Sequence, residues 1–194
     1  MIFDKKLKTL SRWQVDGKEL IRQGPVPDFW RAATDNDRGA GMQFSGRVRR
    51  PQHIRDLYPS GIWDKAGESW EADLIEVDKN NSDGSVRIGF SGAILDGKAG
   101  VKLVYTISKK GRLTVDYQYK ANEDLPLIPR VGTEWRLPLS MNSIRWYGRG
   151  PDPTYTDRKW ENMGVYSTTV MDNWVDYSKP QENGNKVDVR WLTV

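Results

Sequence analysis

The chain has 194 residues, 37% of them hydrophobic and 11% aromatic, with nine tryptophans and no cysteine. Its 30 basic and 26 acidic side chains are well mixed and leave a formal charge of +4. This composition excludes disulfides, thiolate chemistry and cysteine zinc sites. It offers no run long enough to cross a bilayer as a helix, and no dense basic stripe for nucleic acid beyond Arg47, Arg49 and Arg50.

Residues 3–22 read as two short strands carrying Leu7, Leu10, Trp13 and Val15, folded at the hairpin dipeptide Asp16-Gly17. Gln23 to Pro27 reads as a break. The stretch from Asp28 to Gly41 places Asp35, Asn36 and Asp37 side by side, followed by Gly39 and Gly41. Three oxygen-bearing side chains in a row could hold a hard cation, but they lack the alternate spacing of a calcium loop and read as a turn or cap. Residues 42–68 lose the alternation. Pro51 and Pro59 cut them into short helical pieces, and the only histidine, His53, falls there with no partner motif for a triad.

From Trp70 the period is two. Leu74–Val77 is a strand, Asn80–Gly84 a turn, and Val86, Ile88 and Phe90 the next strand. After Asp96-Gly97, the series Val101, Leu103, Tyr105, Ile107 and then Leu113, Val115, Tyr117, Tyr119 form matching faces around Lys110-Gly111. Trp135, Leu137 and Leu139 suggest a further strand. Trp146 to Arg158 (WYGRGPDPTYTDR) reads as a rigid loop, because Gly148, Gly150, Pro151 and Pro153 oppose helix and central strand alike. Its rings and forked donors suit a polar ring-shaped ligand, another domain, or an internal Arg–Asp brace. Residues 164–170 read as a strand, Asp172–Gln181 as irregular chain, and Val187, Val189 and Trp191 as the start of a last strand. That strand runs to Val194, which suggests a polypeptide that continues.

Asp35, Asp37, Asp152, Asp157, Glu161 and Glu182 could supply the two carboxyl groups of glycoside hydrolysis, yet no spacing singles out a pair. No phosphate-binding or dinucleotide fingerprint is present.

Taken together, Pro27–Gly41 (PDFWRAATDNDRGAG), Trp146–Arg158 and Lys179–Trp191 (KPQENGNKVDVRW) resemble, in this order, the C-terminal small-chain domain of bacterial β-galactosidases of glycoside hydrolase family 2. The resemblance covers nearly the whole chain. It implies one all-β domain over residues 1–194, an antiparallel supersandwich similar to the galactose-mutarotase architecture. This would be a C-terminally truncated portion of the family's fifth domain, with the helical excursion around 42–68.

It further implies that this chain holds no catalytic residue. The nucleophile and acid/base lie in a separate (β/α)₈ barrel, which needs about 250 residues. The chain itself would carry no cofactor, the family's Mg²⁺ and Na⁺ being bound mainly elsewhere. Arg31, Asp35, Asn36, Asp37 and Gly39 would organise the rim of the galactoside pocket. Arg149, Asp152, Asp157 and Arg158 would brace a sandwich corner, and Glu182 and Asn183 would hold a nearby turn. The substrate-contacting tryptophan of the family would lie beyond Val194, so Trp191 does not take that role. The implied partners are the barrel of the same polypeptide and the galactoside, with a homo-oligomer admitted and neither nucleic acid nor membrane. The compartment is open between bacterial cytoplasm and periplasm. Two alternatives stand beside this reading: a free carbohydrate-binding module using Trp146 or Trp30, and an aldose-epimerase relative, which the single histidine disfavours.

Overall fold

The computed structural model describes residues 1–37 and 61–194. Gly39, Gly41, His53 and the 42–60 part of the expected helical excursion lie outside the described residues. None of the described residues is helical, and the antiparallel all-β expectation holds. The described chain divides into two compact units, one of residues 1–31 and 61–137, the other of residues 32–37 and 138–194.

The first unit pairs two sheets. One is five-stranded, built from β1 (Ile2–Asp4), β2 (Thr9–Val15), β3 (Lys18–Ile21), β4 (Gln23–Asp28) and β9 (Gly132–Arg136) in the order β1-β2-β4-β9, with β3 also on β2. Asp16 and Gly17 both take positive φ, as a tight hairpin requires. The other sheet is the meander β5 (Glu71–Asp78), β6 (Val86–Ile94), β7 (Ala99–Ile107) and β8 (Leu113–Ala121). Register sets Phe90, Leu103 and Tyr117 in one row and Ile88, Tyr105 and Val115 in the next, so the alternating residues share a face. That face meets Leu10, Phe29 and Trp63 in a single core. The Thr9 hydroxyl donates to the Pro25 carbonyl at 2.7 Å and pairs with the Tyr105 hydroxyl at 3.1 Å. Burial pushes the Tyr105 phenol up to about 12.

Several expectations need correction. Gln23–Pro27 does not break the chain but forms most of β4. Pro25 and Pro27 have no N–H to offer, and the ladder accommodates them: its register slips between Gln23 and Val26, and β4 touches β2 through one pair, Leu10 with Gly24. Residues 61–68 form successive turns rather than a helix, with Asp64 N–H donating to the Gly61 carbonyl and Ala66 N–H to that of Trp63. These turns bury Trp63 and Ala66 in the core. Strand β9 stops at Arg136, ahead of Pro138, and leaves Leu139 exposed.

Gly92 illustrates how tightly β5 and β6 are matched. A Cβ there would fall on the Glu71 carbonyl oxygen. Gly92→Val is therefore expected to cost about 1–3 kcal/mol, because the strands must separate to admit it. The check is a lowered urea midpoint with the slope unchanged.

Candidate functional site

The second unit is organised by a three-stranded sheet, β11 (Met163–Thr169), β10 (Ser143–Arg149) and β12 (Trp191–Thr193), with β10 in the middle. Here the structure departs from the sequence reading. Trp146 to Arg149 belong to the central strand, and the loop begins only at Gly150. Gly148 fits a central strand because Val189 backbone packs on it; a Cβ would sit 3.0 Å from the Val189 Cα. Trp146 is 2% exposed and offers no face to a ligand. The last strand starts at Trp191 rather than Val187, because Asp188 adopts φ 56° and kinks the chain ahead of it.

Three loops are stitched together around this sheet. In the first, the Asp37 carboxylate accepts from the Thr34 amide at 2.8 Å and its hydroxyl at 2.9 Å, closing a turn with Asp35 and Asn36 at its tip. In the second, Tyr155 and Arg158 exchange backbone hydrogen bonds, presenting Asp157 on a tight turn. Thr154, fully buried, anchors it: its amide donates to the Asn185 carbonyl at 2.8 Å, and its hydroxyl accepts from the Val187 amide at 2.9 Å. In the third, the Asn183 side chain bridges Val175, accepting from its amide at 3.0 Å and donating to its carbonyl at 2.6 Å.

The tips of the three loops converge. Gln181 exchanges two hydrogen bonds with Asp35, accepting from its amide at 3.2 Å and donating to its carboxylate at 3.1 Å. The Asn36 amide donates to the Asp157 carboxylate. Between them opens a cleft of about 350 Å³, with Tyr155 and Tyr177 in its lining and Arg158 and Trp160 along one side. The Arg158 guanidinium lies 4.9 Å from the Trp160 ring centre, and Trp160 is 70% exposed.

Burial pushes the Tyr155 phenol up to about 12, helped by the neighbouring Tyr177 and Glu182, while Arg158 pulls the other way. Its hydroxyl donates to the Glu182 carbonyl at 2.9 Å. The proton is thus held in the folded state above the ordinary value of 10.0. The stabilisation is complete below pH 10 and is lost as pH rises towards about 12, where the folded phenol ionises. Tyr155→Phe is expected to remove one late-titrating phenol from the tyrosinate absorbance curve and to flatten the alkaline loss of stability.

The residues singled out from sequence fall as follows. Asp35 and Asn36 line the cleft, Asp37 holds their turn, and Asp157 and Arg158 form the opposite side. Arg31 belongs to the first unit, and Gly39 lies outside the described residues. Arg149 pairs with Asp188 at 2.7 Å, a partner that sequence reasoning missed. It also donates to the Lys159 and Glu161 carbonyls at 2.8 and 2.7 Å. Asp152 is exposed, and its charge partly offsets the burial that lowers the Lys186 amine. Trp160, Tyr177 and Gln181 were not singled out; an exposed tryptophan two positions after the Asp-Arg pair was the one signal that could have marked the cleft. The Asp35-Asn36-Asp37 run does not converge as a cation site would, since its three side chains turn to Gln181, Asp157 and Thr34.

Fold and site together define an all-β domain of antiparallel sheets whose polar cleft is carried entirely on loops. The family described as beta galactosidase small chain matches residues 1–194. The chain belongs to this family. It is 33% identical over 198 residues to a beta-galactosidase of Halalkalibacterium halodurans, covering 100% of this chain and 18% of that protein. It is 32% identical over 180 residues to the beta-galactosidase BgaC of Bifidobacterium adolescentis, covering 91% of this chain and 16% of that protein. A beta-galactosidase of Priestia megaterium is 31% identical over 198 residues, covering 100% and 17%. The chain therefore spans less than a fifth of the length of these relatives.

Proposed function

We propose that this chain is the non-catalytic small-chain domain of a retaining β-galactosidase that releases terminal non-reducing β-D-galactose from β-galactosides such as lactose. Its part is to form one wall of the sugar pocket and to support a catalytic barrel supplied by the rest of the parent polypeptide. The observation that carries this reading is the match of the whole chain to the small-chain family, together with the meeting of the three motif segments at one cleft. The cleft carboxylates of Asp35 and Asp157 each accept a hydrogen bond from a side-chain amide, an arrangement that keeps them as fixed acceptors. Such groups orient a ligand's hydroxyls; the nucleophile and the acid belong to the barrel. Mg²⁺ and Na⁺ likewise belong with the parent's other domains.

The test is hydrolysis of a chromogenic β-galactoside by the purified chain, made in a host without its own β-galactosidase, before and after addition of the remainder of the parent polypeptide. No turnover alone and turnover on addition are expected. Turnover by the chain alone, abolished by one Asp or Glu substitution within it, would overturn the reading.

A further inference from the structure

We infer that two copies of this chain associate edge to edge through β8, the strands antiparallel and Gln118 opposite its own symmetry mate. The inference stands apart from the proposed function and makes no use of the cleft. β8 closes one side of the meander. It pairs with β7 along all nine residues from Leu113 to Ala121 with no shift of register, and no other described strand lies on its far side. A straight edge of this length offers a row of free amides and carbonyls on which a further strand can pair. The opposite edge of the meander is defended. The register of β5 slips between Leu74 and Glu76, and Glu71, Asp73, Glu76 and Asp78 would repel a second copy of that strand. β8 has neither bulge nor proline.

The charges on β8 say what pairs with it. Thr114, Asp116, Gln118 and Lys120 alternate along its exposed face. Asp116 and Lys120 make no ion pair among the described residues. Four positions apart on one strand, about 13 Å, they cannot reach each other. Across the ladder they meet only Val104 and Gly100. A second β8 running the other way, with Gln118 opposite Gln118, sets each Asp116 opposite the partner's Lys120 on the same face. On the other face it sets each Tyr117 beside the partner's Tyr119. Registers centred on Asp116 or Lys120 would oppose like charges, and those centred on Tyr117 or Tyr119 would pair no opposite charges. One register is therefore favoured. A different protein would need a matching strand of its own, whereas a second copy has the match by symmetry.

The experiment is sedimentation velocity of the full chain across a concentration series at low salt. A monomer–dimer equilibrium with a Kd on the order of 10–100 µM is the expected result. Asp116→Lys and Lys120→Glu should each weaken it about tenfold, because each turns two facing pairs into like charges. The two variants mixed in equal amounts should associate again, to within about threefold of the native value. One chain then offers only carboxylates at these positions and the other only ammonium groups. Recovery on mixing requires both variants to be folded, so it separates a lost interface from a lost fold. The double variant Asp116→Lys with Lys120→Asp, which exchanges the charges, should dimerise by itself. A monomer at every concentration, a dimer indifferent to both single reversals, or no recovery on mixing would each overturn the assignment.

Discussion

Trp146→Ala is expected to destabilise the second unit by about 3–5 kcal/mol. The indole is 2% exposed and is the largest side chain fully buried in that unit. It packs against Tyr166 with ring centres 5.5 Å apart, and its N–H donates to the Arg149 carbonyl at 3.0 Å. Gly150 lies against the same ring, where a Cβ would approach to 2.8 Å. The Lys186 amine sits 5.2 Å from the ring centre and is held below its ordinary value by burial. Removing the indole would therefore leave a cavity and a lysine that has lost its aromatic partner. Amide exchange localises the effect: protection should fall across β10, β11 and β12, and the meander β5–β8 should keep its own. Unchanged exchange in β10 would refute the packing role.

Arg149→Met is expected to cost about 2–3 kcal/mol, through the loss of two charge-assisted bonds to the Lys159 and Glu161 carbonyls. The pH profile separates this from a mere loss of packing. Asp188 is held below the usual carboxylate range first by the hydrogen bond from Arg149, and further by the charges of Lys159, Arg149 and Arg190. A depressed carboxyl stabilises the fold above its unfolded value of 3.8, and the contribution disappears as pH falls through the lower folded value. The native chain should show this acid loss, and Arg149→Met should show less of it. Urea melts near neutrality and near pH 3 read the difference directly. Parallel acid curves for the two proteins would remove Arg149 as the group that holds Asp188 ionised.

Local chemistry was legible in the sequence where a turn and two strands lie close together. Asp16-Gly17, Asp96-Gly97 and Lys110-Gly111 each announced a hairpin, and the alternation of Val101, Leu103 and Tyr105 marked the buried face of β7. What stayed hidden depends on close approach between distant segments. Gly148 looks like a loop glycine until Val189 is seen packed on it. Pro25 and Pro27 look like breakers until the slipped register of β4 shows where their missing donors fall. Trp146 resembles a binding face, and only tertiary burial makes it core. The cleft was half legible. Two of its segments stood out by composition and the third only through the family resemblance, and the pairings of Asp35 with Gln181 and of Arg149 with Asp188 lie in no local pattern.

The pairing of Asp35 with Gln181 also governs when the cleft can come into being. The two residues are 146 positions apart, and the unit they close is interrupted by most of the other one. At translation rates of about 5–20 residues per second, the Thr34–Asp37 turn waits on the order of 7–30 s for its partner to be synthesised. The meander of the first unit, whose strands pair with sequence neighbours, can meanwhile fold on short loops. The cleft thus forms later during synthesis than the meander β5–β8.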